Sequence, residues 1–225
     1  MTKAFDSIRH DILLAKLRRI GISPSALAWF SSYLSGRKQV VRIGNAISEQ
    51  LELRFGVPQG SILGPALFPF FVNELLAIPN HCQLMGYVDD TKLVLALPPN
   101  QTTAAVSMLN DDLREITKWC CRNSLLINPE KTKLLVIGVP QLTKSLPPLS
   151  VTLMGKIIEP VATAKDLGIY IDNSLNYNDH INKISSSCIY KLIMINRIKY
   201  LLDKKTILLL IHSFVFNKLL YCSSV

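Results

Sequence analysis

The sequence has no Cys-x-x-Cys pair, and its five cysteines (82, 120, 121, 188 and 222) make an odd count. That usage disfavours both a zinc site and a disulfide framework, and it suits a reducing, intracellular compartment. Long hydrophobic runs are missing as well. The start, Met1-Thr-Lys-Ala-Phe-Asp6, has no apolar leader, and the greasiest stretch, Ile207 to Ile211, is far too short to span a bilayer, so no membrane partner is expected. Lys204-Lys205 is too short a basic run to act as an import signal, which leaves nucleus and cytoplasm unresolved. No internal repeat is visible. Acids are scarce: 16 Asp+Glu against 25 Lys+Arg leave a net charge of +9. The excess suits a polyanionic partner, because Lys and Arg bind phosphates without reading sequence; a merely soluble basic surface would account for it equally. With 225 residues, 49% of them hydrophobic, the chain can bury one sizeable core or two small ones.

What is present is organised around Tyr87-Val88-Asp89-Asp90. Apolar residues precede the two acids in 82–88 and follow them in Leu93-Val-Leu-Ala-Leu97, the pattern of two strands with acids at the turn between them. Neighbouring carboxylates repel, which favours a neutralising divalent cation, and a hard ion such as Mg²⁺ suits oxygen donors. An exposed tip with two solvated acids reads the same residues without a metal.

Along the chain, Ile8, Ile12, Leu13 and Leu17 mark an amphipathic helix over 7–19, stopped by Gly21. Ser23-Pro24 reads as an N-cap with a first-turn proline, opening a second helix with Leu27, Phe30, Tyr33 and Leu34 on its apolar stripe. Lys38–Ile43 and Leu51–Phe55 alternate as two strands turning at Gly44-Asn45, decorated by Arg37, Lys38, Arg42 and Arg54. Gly56-Val-Pro-Gln-Gly-Ser-Ile-Leu-Gly-Pro65 is a loop of special backbone geometry ahead of a helix that reaches Ile78 with an interruption at Pro69. Such a loop can let a ligand approach or point N–H groups at an anion; a structural turn is the plainer reading. Leu109, Leu113, Ile116 and Cys120 define a helix from about 102 to 123, with Asp111, Asp112 and Glu115 expected on its solvated face. Residues 124–138 read as strand, turn, strand, with Lys131 and Lys133 close to the turn. A proline-bearing surface loop follows over 139–150, then a hairpin over 151–161 turning at Gly155-Lys156. A short strand over 166–172 and helices from Asn178 and from about Lys204 to Leu220 complete the chain.

Lys3-Ala-Phe-Asp6, the 56–65 loop, Tyr87-Val-Asp-Asp90, Asn128-Pro-Glu-Lys-Thr132 and Leu167-Gly-Ile-Tyr-Ile-Asp172 occur in an order and spacing that resembles the reverse transcriptases of non-LTR retrotransposons. The resemblance runs along nearly the whole chain, and its second and third motifs are the most specific. It implies an α+β fold: the palm of a right-hand polymerase, an antiparallel sheet with flanking helices over residues 1–173, and the start of a helical thumb or connection over 174–225. It implies two-metal transfer of deoxynucleotides, with two Mg²⁺ ions, onto a DNA primer templated by RNA. By the same resemblance Asp89 and Asp90 are metal ligands, Asp89 the more direct. Phe5 excludes a ribose 2′-hydroxyl, Gln59 and Gly60 lie beside the incoming nucleotide, and Lys131 protonates departing pyrophosphate.

The first motif of that family opens on an Asp that would stand immediately before Met1. Asp6 is a poor substitute, because about six extended residues, roughly 20 Å, separate the two positions. The resemblance therefore implies a chain truncated at its N-terminus, without fingers, holding Mg²⁺ weakly and impaired or inactive as a polymerase. A basic fragment that binds nucleic acid without chemistry, or a relic that self-associates through exposed palm surface, are the alternatives.

Overall fold

The computed structural model describes Met1, residues 4–58 and residues 60–223, so Lys3 of the first motif and Gln59 of the second lie outside the described residues. The chain divides into two units, residues 1–132 with 148–158, and residues 133–147 with 159–225.

In the first unit, helix α1 (His10–Arg19) buries Leu13 and Leu17, as its period demands, and Ile8 ahead of it is fully buried. Helix α2 (Pro24–Leu34) starts as the sequence indicates: the Ala26 N–H donates to Ser23 Oγ at 3.4 Å, and Pro24 occupies the first turn. The ribbon expected over 38–55 is split into two ladders, β1 (Lys38–Gln39) with β4 (Leu51–Glu52) and β2 (Arg42–Ile43) with β3 (Ala46–Ile47). Ser48 causes the break, because its hydroxyl accepts the Val41 N–H at 2.9 Å, a side chain taking the place of a ladder partner. Helix α3 (Gly64–Val72) runs through the exposed Pro69 and tightens into a 3₁₀ turn over Asn73–Ala77, burying Phe68 and Phe71 in the core. Lys16 ties the helices of this core together. Its Nζ donates to the Phe71 carbonyl at 2.7 Å, pairs with Glu74 at 3.2 Å, and lies over the rings of Phe71 and Trp119.

Strands β5 (Gln83–Tyr87) and β6 (Asp90–Val94) form the expected antiparallel hairpin, and α4 (Thr102–Arg122) the expected long helix. Ser124 ends α4 in the left-handed region (φ 58°), with the Leu125 N–H donating to the Cys120 carbonyl at 2.9 Å. Ser124 and the buried Leu125 therefore close a helix instead of opening the strand expected there. A last hairpin, β7 (Val151–Leu153) with β8 (Lys156–Ile158), turns one residue earlier than expected, at Met154-Gly155, where both residues have positive φ. It is tied to α4 by the Thr152 N–H, which donates to Asn110 Oδ1 at 2.7 Å.

In the second unit, the segment 166–172 expected as one strand supplies the turn and second strand of a hairpin, β9 (Thr163–Asp166) with β10 (Ile169–Asp172). Leu167 (φ 43°) and Gly168 (φ 92°) make its turn, and the Tyr221 hydroxyl donates to the Leu167 carbonyl at 2.6 Å. The strand expected over 133–137 is reduced to a single parallel bridge, Leu134 to Pro160. The loop 139–150 carries a short helix, α5 (Pro140–Thr143). Helices α6 (Asn178–Ile198) and α7 (Lys204–Ile211) follow, and α7 continues through a π turn over His212–Phe216 into α8 (Asn217–Leu220). The Thr206 N–H donates to Asp203 Oδ1 at 2.9 Å, capping α7.

The class is α+β, with the described strands paired only two by two and not joined into one sheet. No described helix is long and apolar enough to cross a membrane.

Candidate functional site

The β5–β6 hairpin pairs Tyr87 with Asp90, so its turn consists of Val88 and Asp89 alone. Two-residue hairpin turns favour Asn or Gly at positive φ, yet Val88, a β-branched residue, sits at φ 55°. Holding it there costs about 1–2 kcal/mol. Strain of this kind persists only where the surroundings enforce it, and it concentrates at functional sites. The consequence is a tight tip with Asp89 half-buried and Asp90 exposed.

The segment at the chain's start makes separate contacts with the hairpin tip and with the 56–65 loop. The Met1 amine donates to the Asp89 carbonyl at 3.1 Å. The Val57 N–H donates to the Phe5 carbonyl at 3.0 Å and the Gly56 N–H to the Ile8 carbonyl at 2.7 Å. His10 Nε2 lies 2.7 Å from the Gly56 carbonyl. Gly56 is required for this contact: φ is +85°, and a Cβ there would lie 2.9 Å from Asp6 Cα. The Phe5 ring stacks on Phe68 with centroids 4.7 Å apart, which backs it with the core and leaves it half-buried.

The 56–64 loop is pinned at its far end. The Ser61 hydroxyl donates to the Pro58 carbonyl at 2.7 Å and accepts the Gly64 N–H at 3.0 Å, so the loop hands over directly to α3. Gly60 is exposed at φ +80°. Lys131 is exposed in a turn held by Asn128, whose Oδ1 accepts the Glu130 N–H at 2.9 Å and whose carbonyl accepts the Thr132 hydroxyl at 2.8 Å. The described contacts join Phe5 to the 56–64 loop and Met1 to Asp89; none of them brings Lys131 to either pair.

Asp89 and Asp90 offer hard oxygen donors on a rigid turn. That fits a Mg²⁺ ion, which is commonly held by one or two carboxylates with water and phosphate oxygens completing the shell. No cluster of three or more His, Cys, Asp or Glu side chains gathers among the described residues.

The acid that sequence reasoning misplaced is Asp112. Expected on the solvated face of α4, it is 1% exposed. Its carboxylate accepts three backbone N–H groups, from Asn80 at 2.9 Å, His81 at 3.0 Å and Cys82 at 2.8 Å. Burial pushes the carboxyl up, but those donors outweigh it and hold the group below the ordinary aspartate range. The Cys82 thiol is pushed up to about 12, by burial first and by the facing Asp112 second. A signal was available, because Asp112 stands three residues after Leu109 and four before Ile116, on the apolar stripe itself. Its neighbours do face solvent: Asp111 pairs with Arg114 and Glu115 with Lys118.

Residues 1–171 match the family model described as "Reverse transcriptase (RNA-dependent DNA polymerase)". The chain is 32% identical over 215 residues to the probable RNA-directed DNA polymerase from transposon BS of Drosophila melanogaster, a match covering 92% of this chain and 23% of that protein. It is 29% identical over 194 residues to the RNA-directed DNA polymerase from mobile element jockey of the same species, covering 82% of this chain and 20% of the relative. The probable polymerase from transposon X-element, also of D. melanogaster, is 27% identical over 186 residues, with 81% and 20% covered. The chain thus spans about a fifth to a quarter of the length of these curated relatives.

Proposed function

The chain belongs to the reverse transcriptase (RNA-dependent DNA polymerase) family, related to the polymerases of non-LTR retrotransposons, and on that premise we propose that it forms the palm (residues 1–173) and the start of a helical thumb or connection (174–225) of an enzyme that extends a DNA primer on an RNA template. The observation that carries the proposal is the hairpin tip: neighbouring acids, Asp89 in a strained two-residue turn and Asp90 on the strand that follows it, with the Met1 amine against the Asp89 carbonyl.

In this reading Asp89 and Asp90 hold Mg²⁺. Held there, the ion would supply Lewis acidity at phosphate oxygens and would lower the pKa of a primer 3′-hydroxyl. The protein's own part is positioning. Phe5, braced by Phe68, walls off the ribose position where a 2′-hydroxyl would sit. Gln59 and Gly60 line the approach of the incoming deoxynucleoside triphosphate, and Lys131 delivers a proton to the departing pyrophosphate. The excess of cationic side chains holds template and primer.

These 225 residues bring two motif carboxylates to the tip. A residue joined to the Met1 amine would enter beside Asp89, since that nitrogen already lies 3.1 Å from the Asp89 carbonyl oxygen. We therefore expect an Asp joined ahead of Met1 to strengthen ion binding and to speed extension. The test is Mg²⁺-dependent incorporation of deoxynucleotides on a primed RNA template by the lengthened chain. Incorporation abolished by Asp89→Asn supports the proposal, and incorporation indifferent to that change contradicts it.

A second reading, self-association through palm surface without chemistry, draws on exposed apolar side chains there, among them Ile43, Ile47, Leu51 and Phe55. Sizing by sedimentation separates the two, since a clean monomer removes that reading.

A further inference from the structure

Among the described residues the β5–β6 hairpin is a sheet of two strands, and a two-stranded hairpin is marginally stable unless something else places it. Two features do. The cross-strand pair Leu84 and Leu93 packs on the core of the first unit. Next to that pair, where the chain enters the base of the hairpin, Asp112 gathers the N–H groups of Asn80, His81 and Cys82, the three residues that lead into β5. Helix α4, which carries Asp112, is itself fixed in the core by Ile116, Trp119 and Cys120.

We propose that Asp112 is a positioning residue for the proposed metal-binding tip: its buried carboxylate clamps the base of the β5–β6 hairpin to α4 and so sets where Asp89 and Asp90 stand. The inference rests on the reading of that tip as a site of nucleotidyl transfer. From Cys82 to Asp89 the chain runs about 20 Å as strand. A lever of that length turns a small tilt at its base into an ångström or two at its tip, and a misplacement of about 1 Å is enough to cost a hundredfold in a positioned reaction. Charge is part of the clamp. A carboxylate offers acceptors to all three N–H groups at once, whereas an amide in its place presents one oxygen and turns an N–H₂ toward donors.

The test compares wild type with Asp112→Asn, using hydrogen exchange of backbone amides and Mn²⁺-induced broadening of the Tyr87–Asp90 amide resonances. In Asp112→Asn, amides of β5 and β6 should exchange about tenfold faster while those of α1 stay as in wild type, and the Mn²⁺ concentration for half-maximal broadening should rise about tenfold. Ile116→Val, a core change on the same helix, should leave the Mn²⁺ midpoint where it is. Asp112→Glu keeps the charge but displaces it by a methylene. It should shift both readouts in the same direction by about threefold, and it keeps the test alive if the amide variant does not fold. Uniform acceleration of all amides with an unmoved Mn²⁺ midpoint would overturn the proposal by reducing Asp112 to general stability. If the wild-type tip shows no Mn²⁺ broadening at all, the reading of the tip fails; the exchange pattern then decides the clamp alone, hairpin-selective acceleration upholding it and uniform acceleration removing it.

Discussion

The two ends of the β5–β6 hairpin use the same side chain in opposite ways. At the tip Asp89 is half-buried and Asp90 exposed, beside a turn held in a conformation that Val88 disfavours. At the base Asp112 is buried and surrounded by three N–H donors. The tip keeps its carboxylates available at the expense of backbone strain, and the base consumes a carboxylate to make that strain tolerable. Stability and chemistry are thus separated along one hairpin, and an acid's role follows from what its oxygens already hold.

The comparison breaks most visibly at the base. Asp112→Ala should leave three buried N–H groups without acceptors and cost about 3–5 kcal/mol in urea denaturation. Gly56→Ala attacks the join between the chain's start and the 56–65 loop, through the backbone and not through a charge. A Cβ placed 2.9 Å from Asp6 Cα at φ +85° should cost about 2–4 kcal/mol by the same measurement.

Acidity sharpens the contrast further. Asp112 titrates below its unfolded value, so its contribution is complete above the ordinary aspartate range, about pH 4, and is lost as pH falls through the lower folded value. Its facing groups are the Asn80, His81 and Cys82 amides and the Cys82 thiol, which stays protonated throughout that window. Stability followed by circular dichroism should fall more steeply with acid in wild type than in Asp112→Asn. At the tip the effects are smaller. Val88→Asn, which accepts the left-handed region, should raise stability by about 1 kcal/mol. Asp90→Asn should leave stability within about 0.5 kcal/mol of wild type, as exposed positions do.

Much of this was legible in the sequence because the governing interactions are local. Apolar runs flanking Asp89-Asp90 specify a hairpin, Ser23-Pro24 starts a helix, and the stripe from Leu109 to Cys120 draws α4 almost to its ends. The misses arose where a distant partner decides. Asp112 looked solvated because nothing nearby in the chain announces three amides from residues 80–82. Ser124-Leu125 looked like a strand because β-compatible residues also serve as a left-handed helix closure. The strand foreseen over 166–172 proved to be half of a hairpin whose other half, Thr163–Asp166, lacks an apolar alternation to reveal it. The meeting of Met1 with Asp89, 88 residues apart, had no signature in the spacing of either motif.

The most direct measurement counts Mn²⁺ ions bound to the folded chain by electron paramagnetic resonance, in wild type and in the Asp89→Asn/Asp90→Asn double variant. The account predicts that wild type holds an ion which the double variant loses while keeping its fold and its melting temperature. Equal binding by the two proteins would contradict it, placing the metal, and with it the proposed chemistry, away from the hairpin tip.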